Sequence, residues 1–159
     1  MDKSTRHAKL RDSSDELYRK LGSLSSSFAD LEILLINSIS LLIDDDYLEI
    51  GRIVTANLGY SQNIELFKRL VRAKISDEEA LNITEDICTR LRDAGKSRNE
   101  YLHSSWGFYF DGSDSPIASK HSVRPGKSSG RYSLHGLDDA IEIIWILFDD
   151  LQNFEINYL

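Results

Sequence analysis

The sequence has few of the residues that cross-link a chain or interrupt its regular structure. Of 159 residues, one is cysteine, two are proline and nine are glycine. The lone Cys88 excludes an intrachain disulfide. It falls on the apolar face of a predicted helix, so we expect a small buried side chain in a reducing compartment. The low proline and glycine content argues against a long disordered tail.

Long apolar segments are also absent from the sequence. The longest apolar stretch, residues 31–43, has 13 residues and includes four polar side chains. A transmembrane helix needs about 20 predominantly apolar residues. Residues 1–6 are not followed by the apolar core of a signal peptide. We therefore expect a cytoplasmic protein that has no contact with a membrane.

Negative charge predominates, and the net charge is −7. Residues 1–67 carry 7 basic and 11 acidic side chains, and residues 132–159 carry no basic and 6 acidic ones. Residues 68–131 carry 12 basic and 9 acidic side chains, which makes this middle part net +3. The distribution disfavours a broad surface for duplex nucleic acid, but it allows a local contact with a phosphate-bearing ligand.

Apolar residues recur at helical spacing through most of the chain. Residues 1–12 lack this pattern and are predicted to be a mobile lead-in. A capping box formed by Ser13 and Glu16 then begins a helix of about 30 residues. The second half of this helix is apolar over most of its circumference, which favours burial on two sides and therefore a homodimer. A short helix or irregular turn is predicted at residues 47–58, and further helices at residues 64–75, 76–102 and 137–154.

The pattern changes between residues 106 and 136, which contain five of the nine glycines and both prolines. We predict short strands at 107–111 and 117–123, with a third near 131–134. The fold class is thus mostly α: an up-and-down bundle of four main helices, with a short helix and a β-hairpin-like excursion between the last two helices. One domain is expected over residues 13–159.

The residues that suggest chemistry are Arg98, Asn99 and His103, near the end of the third long helix. Arginine offers a fixed fork of donors to phosphate oxygens, and histidine exchanges protons near neutral pH. Asn99 and His103 are four residues apart and therefore share one side of the helix. The set suits phosphodiester chemistry without a metal. The alternative is structural, with Arg98 bound to carbonyls or to Glu32 and His103 a satisfied interior ring.

Three other patterns are interpreted as non-functional, and we expect no metal and no cofactor. The Gly-Lys-Ser in residues 125–130 lacks the first glycine of a phosphate-binding loop, because that position is His121. Glu100 and His103 have the spacing of a di-iron site, but no second Glu-x-x-His pair exists. The acidic run at 44–46 is interpreted as a solvated helix cap.

Arg98-Asn99-x-x-x-His103, late in a long helix of a small all-α protein, resembles the motif of the HEPN superfamily. The first helix contributes Phe28-x-x-x-Glu32, and the motif is followed by small residues and Trp106. The resemblance covers residues 15–154 as a pattern of helices. It implies a homodimer in which both motifs meet in one composite cleft. Many such domains are metal-independent endoribonucleases of toxin, anti-phage or CRISPR systems that leave a 2′,3′-cyclic phosphate.

The resemblance also implies a role for each motif residue. His103 would be the acid and base, Arg98 the phosphate clamp and Asn99 the orienting residue. The excursion is expected to be either a substrate-contacting flap or a structural or partner-facing element. Around the motif, the side chains expected to contact the substrate are Lys96, Ser104, Trp106, Lys120 and Arg124.

Two functions from different classes remain open from the sequence. The first is a homodimeric ribonuclease with an RNA substrate and a protein antitoxin or defence partner. The second is a non-catalytic helical dimerisation module that binds RNA, a nucleotide or a protein. The branch of the superfamily that pairs with a nucleotidyltransferase antitoxin has a tyrosine two positions after the histidine. This chain has Ser105 there and departs from that branch.

Overall fold

The computed structural model describes residues 2–43, 48–122 and 130–159. The described residues are mostly helical and include a three-stranded antiparallel sheet between the last two helices, as predicted. The predictions for residues 44–46, for Arg124 and for the Gly-Lys-Ser segment lie outside the described residues. The elements are α1 (Lys3–Ile43), α2 (Leu48–Thr55), α3 (Tyr60–Lys74), α4 (Glu78–Leu102), β1 (Ser104–Tyr109), β2 (Ile117–Ser122), β3 (Gly130–Tyr132) and α5 (His135–Tyr158).

The chain divides into two compact units, each built from separate stretches of sequence. Unit 1 comprises residues 1–26 and 97–141, and unit 2 comprises residues 27–96 and 142–159. Helices α1, α4 and α5 contribute residues to both units. Because of this sharing, the division does not test the prediction of one domain over residues 13–159.

Helix α1 begins ten residues earlier than the capping box at Ser13 predicted. It starts at Lys3, where the Asp2 carboxylate accepts hydrogen bonds from the Thr5 backbone N–H at 2.9 Å and from the Thr5 hydroxyl at 3.0 Å. Asp2 therefore satisfies a free N–H group of the first turn, which is the role of an N-cap. The predicted helix start was wrong, and residues 3–12 of the expected lead-in are helical.

Contacts within unit 1 explain why these polar turns remain helical. The Arg6 guanidinium lies 4.5 Å from the centre of the Phe110 ring. Lys9 Nζ donates a hydrogen bond to the Asp114 carbonyl at 2.5 Å. Both partners lie in the turn between β1 and β2, so tertiary contacts replace the apolar stripe that the segment lacks.

The later helices agree more closely with the sequence. Helix α4 begins at Glu78, and Asp77 Oδ1 accepts a hydrogen bond from the Ala80 N–H at 2.8 Å. Its cap is therefore Asp77 rather than Ser76, one residue from the predicted position. Helix α5 continues to Tyr158, four residues beyond the predicted end.

The sheet has two distinct faces because side chains alternate along each strand. β2 pairs antiparallel with both neighbours, and Gly107, Ser119 and Arg131 are opposite one another across the three strands. The even-numbered residues form what we call the inner face, since Lys120 and Tyr132 contact Tyr101 of α4. The odd-numbered residues form the outer face.

Unit 2 contains most of the fully buried apolar side chains. Phe67 and Phe154 meet edge-on with their ring centres 5.8 Å apart. Cys88 is fully buried, as predicted, and burial raises the pKa of its thiol to about 11. Most of the wide apolar stripe of α1 is buried within the chain itself, but Ile33 remains 55% exposed.

Among the described residues, α1 is the one helix that is long and apolar enough to cross a membrane by length and composition. Half of its most apolar 18-residue stretch is buried inside the protein. A core helix of a soluble protein has the same properties, so the expected absence of membrane contact stays a prediction.

Helices α1 and α2 meet in unit 2 at a very close contact. A Cβ atom added to Gly51 would lie 2.1 Å from Ser40 Oγ and 2.3 Å from Ser40 Cα. Ser40 is fully buried, and its hydroxyl donates to the Ile36 carbonyl at 2.8 Å. Glycine is therefore required at position 51 by the approach of the neighbouring helix.

A half-buried carboxyl in unit 2 gives a prediction about stability and pH. Ser38 Oγ donates a hydrogen bond to Glu155 Oε1 at 2.6 Å. Burial raises the pKa of Glu155, and the hydrogen bond from Ser38 opposes this only in part. Because the folded pKa is the higher one, the folded state loses stability as the pH rises from the ordinary glutamate pKa through the folded value. Glu155→Gln is therefore expected to have a higher Tm than wild type at neutral pH.

The difference in Tm should shrink as the pH falls below the ordinary carboxyl pKa, because wild-type Glu155 is then neutral as well. Thermal unfolding followed by circular dichroism at several pH values measures this. Glu142→Gln removes the same charge from an exposed position of α5 and is the matched control. A Glu155→Gln protein that is less stable than wild type at neutral pH would contradict the assignment.

Candidate active site

The three motif residues lie near the end of α4, directly before β1. Arg98 Nη1 donates a hydrogen bond to Asn99 Oδ1 at 2.9 Å. The His103 N–H donates to the Asn99 carbonyl at 3.1 Å, which continues the helical pattern by one residue beyond Leu102. Asn99 and His103 are exposed, and Arg98 is half-buried. The helix end thus presents a guanidinium, an amide and an imidazole, with Asn99 orienting the guanidinium.

Tyr101, between the two ends of the motif, is held at its carbonyl and at its hydroxyl. Trp106 Nε1 donates to the Tyr101 carbonyl at 3.1 Å, and the Tyr101 hydroxyl donates to the Gly136 carbonyl at 2.9 Å. The Tyr132 hydroxyl donates in turn to the Tyr101 oxygen. Burial raises the pKa of Tyr132, and the hydrogen bond to Tyr101 raises it further. These bonds join the motif helix to the sheet and to the start of α5.

Lys120, predicted to contact the substrate, is held inside this cluster. Its Nζ donates to Glu100 Oε1 at 2.5 Å and lies 5.3 Å from the Tyr101 ring centre and 4.7 Å from the Tyr132 ring centre. Its side chain is only 11% exposed. The ammonium is therefore stabilised by one carboxylate and two ring faces. In this structure Lys120 attaches β2 to α4.

The other predicted contact residues also have partners. Ser104 Oγ donates to the Glu100 carbonyl at 2.5 Å, and Trp106 is half-buried and donates to the Tyr101 carbonyl. Lys96, in unit 2, is exposed and pairs with Asp93 at 2.9 Å. Arg124 lies outside the described residues. The structure therefore joins Arg98 to Asn99 through their side chains and His103 to Asn99 through the backbone, and Ser104 and Trp106 lie in the adjoining strand.

Sequence reasoning missed the residues that support the site. Glu100, Tyr101 and Tyr132 hold the end of α4 against the sheet, yet none was a candidate. A signal existed for Tyr101, which continues the buried stripe of α4. No signal in the sequence pairs Tyr132 with Tyr101, because they are 31 residues apart and meet only when the sheet folds back.

Charge and histidine are distributed unequally between the units. By sequence, unit 1 has 11 basic and 9 acidic side chains, and unit 2 has 8 and 17. Unit 1 is therefore net +2 and unit 2 net −9. All four histidines lie in unit 1. An anionic ligand is thus favoured at unit 1, where the motif lies.

Each unit has an open groove. The groove in unit 1 has a volume of about 570 Å³ and lies between Ser13 and Glu16 of α1 and the sheet residues Ile117 and Arg131. The groove in unit 2, between α4 and α5, is larger at about 670 Å³, and its lining includes Arg90 and Asp150. Neither groove includes Arg98, Asn99 or His103, so we place the candidate site on chemistry rather than on cavity size.

Among residues 2–43, 48–122 and 130–159, no group of three or more histidine, cysteine, aspartate or glutamate side chains is placed to hold a metal ion. Comparisons with family models, with curated proteins and with solved structures find no match to this chain.

Proposed function

We propose that this chain is a HEPN-like domain whose four long helices, α1, α3, α4 and α5, form an up-and-down bundle. The lengths and order of these helices support the proposal, as does the position of the Arg98–His103 motif at the end of α4. The sheet then corresponds to the excursion inserted before the last helix.

We further propose a metal-independent endoribonuclease, acting as a cytoplasmic toxin or defence protein. The observation that carries the proposal is the grouping of Arg98, Asn99 and His103, with an Arg98–Asn99 hydrogen bond of 2.9 Å. A guanidinium has a planar fork of N–H donors that matches phosphate oxygens, and the bond to Asn99 orients the one of Arg98. His103 is exposed at the end of the same helix, and an exposed imidazole can exchange protons with a bound substrate.

The reaction follows from these groups. The imidazole of one His103 takes the proton from a ribose 2′-hydroxyl, and the 2′-oxygen attacks the adjacent phosphorus. The bond from phosphorus to the 5′-oxygen breaks, and a second imidazole, protonated, gives its proton to that oxygen. Arg98 stabilises the negative charge on the non-bridging oxygens. The products are a 2′,3′-cyclic phosphate and a 5′-hydroxyl.

A homodimer follows from this chemistry, because each chain has one motif histidine and the reaction uses a base and an acid. Two motifs in one cleft supply both. The exposed Ile33 on α1 is consistent with a further apolar contact between chains. Light scattering of the purified protein measures the mass, and a monomer at working concentration would contradict the composite site.

The test of the activity is cleavage of single-stranded RNA by purified protein in EDTA. We expect unchanged cleavage after the chelator is added, and products that end in a 2′,3′-cyclic phosphate. Mass spectrometry of the fragments identifies this end group. Loss of cleavage in EDTA, or a 3′-hydroxyl end, would contradict the proposal.

The second candidate is a non-catalytic dimerisation module that binds RNA, a nucleotide or a protein partner. Two observations favour it: Arg98 is half-buried, and Lys120 forms an ion pair with Glu100. Both are typical of side chains with a structural role. RNA binding without cleavage of any RNA tested, in protein that is folded and dimeric, would support this function over the first.

A further inference from the structure

The outer face of the sheet is open, whereas the inner face is packed against α4. Its odd-numbered residues include Tyr109, which is 43% exposed, His121, which is exposed, and Arg131, whose side chain is 66% exposed. Across the three described strands no residue is acidic. The face therefore combines an accessible aromatic ring with groups that carry or accept positive charge.

The centre of this face is flat. Gly107 occupies the middle of β1, opposite Ser119, and a Cβ atom there would already lie 3.2 Å from Ser119 Oγ. Tyr109 and Ser105 are four residues apart, and Ser105 is opposite His121. At about 3.3 Å per residue along a strand, Tyr109 lies about 13 Å from Ser105 and its partner His121. Such a surface can accept an extended polymer along its length.

Two acidic groups lie beside the face: Asp111, and Glu16 of α1, which lines the same groove as Arg131 and pairs with Lys20. Arg131 Nη2 contacts Asp111 Oδ2 at 3.2 Å, and both side chains are partly exposed. A pair in this setting is weakly held, because water and salt screen it. The guanidinium can therefore turn to a phosphate at little cost.

We propose that the outer face binds single-stranded RNA, with a base stacked on Tyr109 and phosphates contacted by Arg131 and His121. Stacking on a side chain requires an unpaired base, and cationic groups beside an aromatic ring are the usual features of single-strand binding. The net charge of +2 on unit 1, against −9 on unit 2, favours a polyanion at this unit.

The inference extends the proposed function. It rests on that function in one respect, which is that the bound RNA is the substrate. β1 begins directly after His103, and its first outer-face residue, Ser105, is two positions beyond the proposed acid and base. Tyr109, Arg131 and His121 are thus positioned to hold the strand that is presented to His103. They bind substrate and take no part in proton transfer.

The experiment measures binding apart from cleavage. Fluorescence anisotropy is recorded with a fluorescein-labelled oligouridine and the His103→Ala protein, so that the probe stays intact. Tyr109→Ala in this background is expected to weaken binding roughly tenfold, and Tyr109→Phe, which keeps the ring, should bind nearly as the parent does. Circular dichroism verifies that each variant is folded.

Arg131→Ala provides a second, electrostatic measurement in the same background. The logarithm of the binding constant falls linearly with the logarithm of the salt concentration. Removing one phosphate contact should make this slope less steep by about 0.7. Arg69→Ala is the matched control, because it removes an arginine whose side chain is 76% exposed in unit 2. We expect this control to leave the affinity and the slope unchanged.

The outcomes separate the two proposals. Equal affinity of the parent and of Tyr109→Ala, an equal loss in Arg69→Ala, or preferred binding of a duplex of the same length would overturn the inference. Wild-type protein that cleaves RNA while Tyr109→Ala has unchanged affinity and KM contradicts the inference alone. Binding that depends on Tyr109, with no cleavage by wild type, supports the inference and contradicts the proposed function. A labelled oligodeoxythymidine bound more tightly than oligouridine would overturn RNA as the ligand.

Discussion

His103→Ala is expected to lower the rate of RNA cleavage by about 10²–10⁴-fold, the usual contribution of a positioned general acid or base. Alanine can neither take the proton from the 2′-hydroxyl nor return one to the leaving oxygen. The side chain of His103 is exposed at the end of α4, so its removal should leave the fold and the Tm unchanged. Initial rates on a labelled single-stranded RNA, in EDTA, measure the effect.

His135→Ala is the matched control for this experiment. It removes a histidine of the same unit whose side chain is 92% exposed and which has no proposed role. We expect it to cleave RNA at the wild-type rate. If His103→Ala and wild type cleave equally, the activity belongs to another residue or to a contaminant, and the proposed site is wrong.

Gly51→Ala is expected to give the largest loss of stability. The new methyl group would overlap both the side chain and the backbone of Ser40, so one of the two helices must move. Overpacking of this kind costs about 3 kcal/mol at the upper end of its usual range. Alanine recovers about 1 kcal/mol through its higher helix propensity. The remaining loss should lower the Tm by about 4–8 °C in a chain of this size.

Gly22→Ala is the same substitution at a helical position where nothing lies within 4 Å of the new Cβ atom. There we expect only the gain in helix propensity, about 0.5–1 kcal/mol, and a higher Tm. Thermal unfolding of the two variants and of wild type measures both changes in Tm, the expected decrease and the expected increase. A Gly51→Ala protein as stable as wild type would mean that α1 and α2 do not approach as closely as described.

The helices could be predicted where the sequence alone determines their ends. The apolar stripe and the acidic cap predict the start of α4 to within two residues of its position in the structure, because caps act locally. The start of α1 could not be predicted in the same way, since the contact of Arg6 with Phe110 joins residues about one hundred positions apart. The Asp2–Thr5 cap is a local signal, but it was missed because the helix start was predicted from the apolar spacing, which begins only after residue 12.

The positions of the candidate site residues could be predicted from the sequence, but the contacts around them could not. Spacing alone places Asn99 and His103 on one side of a helix. The sequence analysis predicted a substrate contact for Lys120 and not for Arg131. The register of the strands separates them, because Lys120 faces the tyrosines of the inner face and Arg131 faces outwards. Register depends on pairing between distant residues and cannot be derived from composition.

The placement of the two tryptophans gives the molecule built-in optical reporters. Trp106 lies in unit 1, stacked on Tyr101 and hydrogen-bonded to its carbonyl, whereas Trp145 is exposed in unit 2 beside Phe148. The tryptophan emission of a Trp145→Phe protein would therefore come from Trp106 alone, at the junction of α4 and β1. Its emission would follow solvent access at the end of the motif helix without any attached dye.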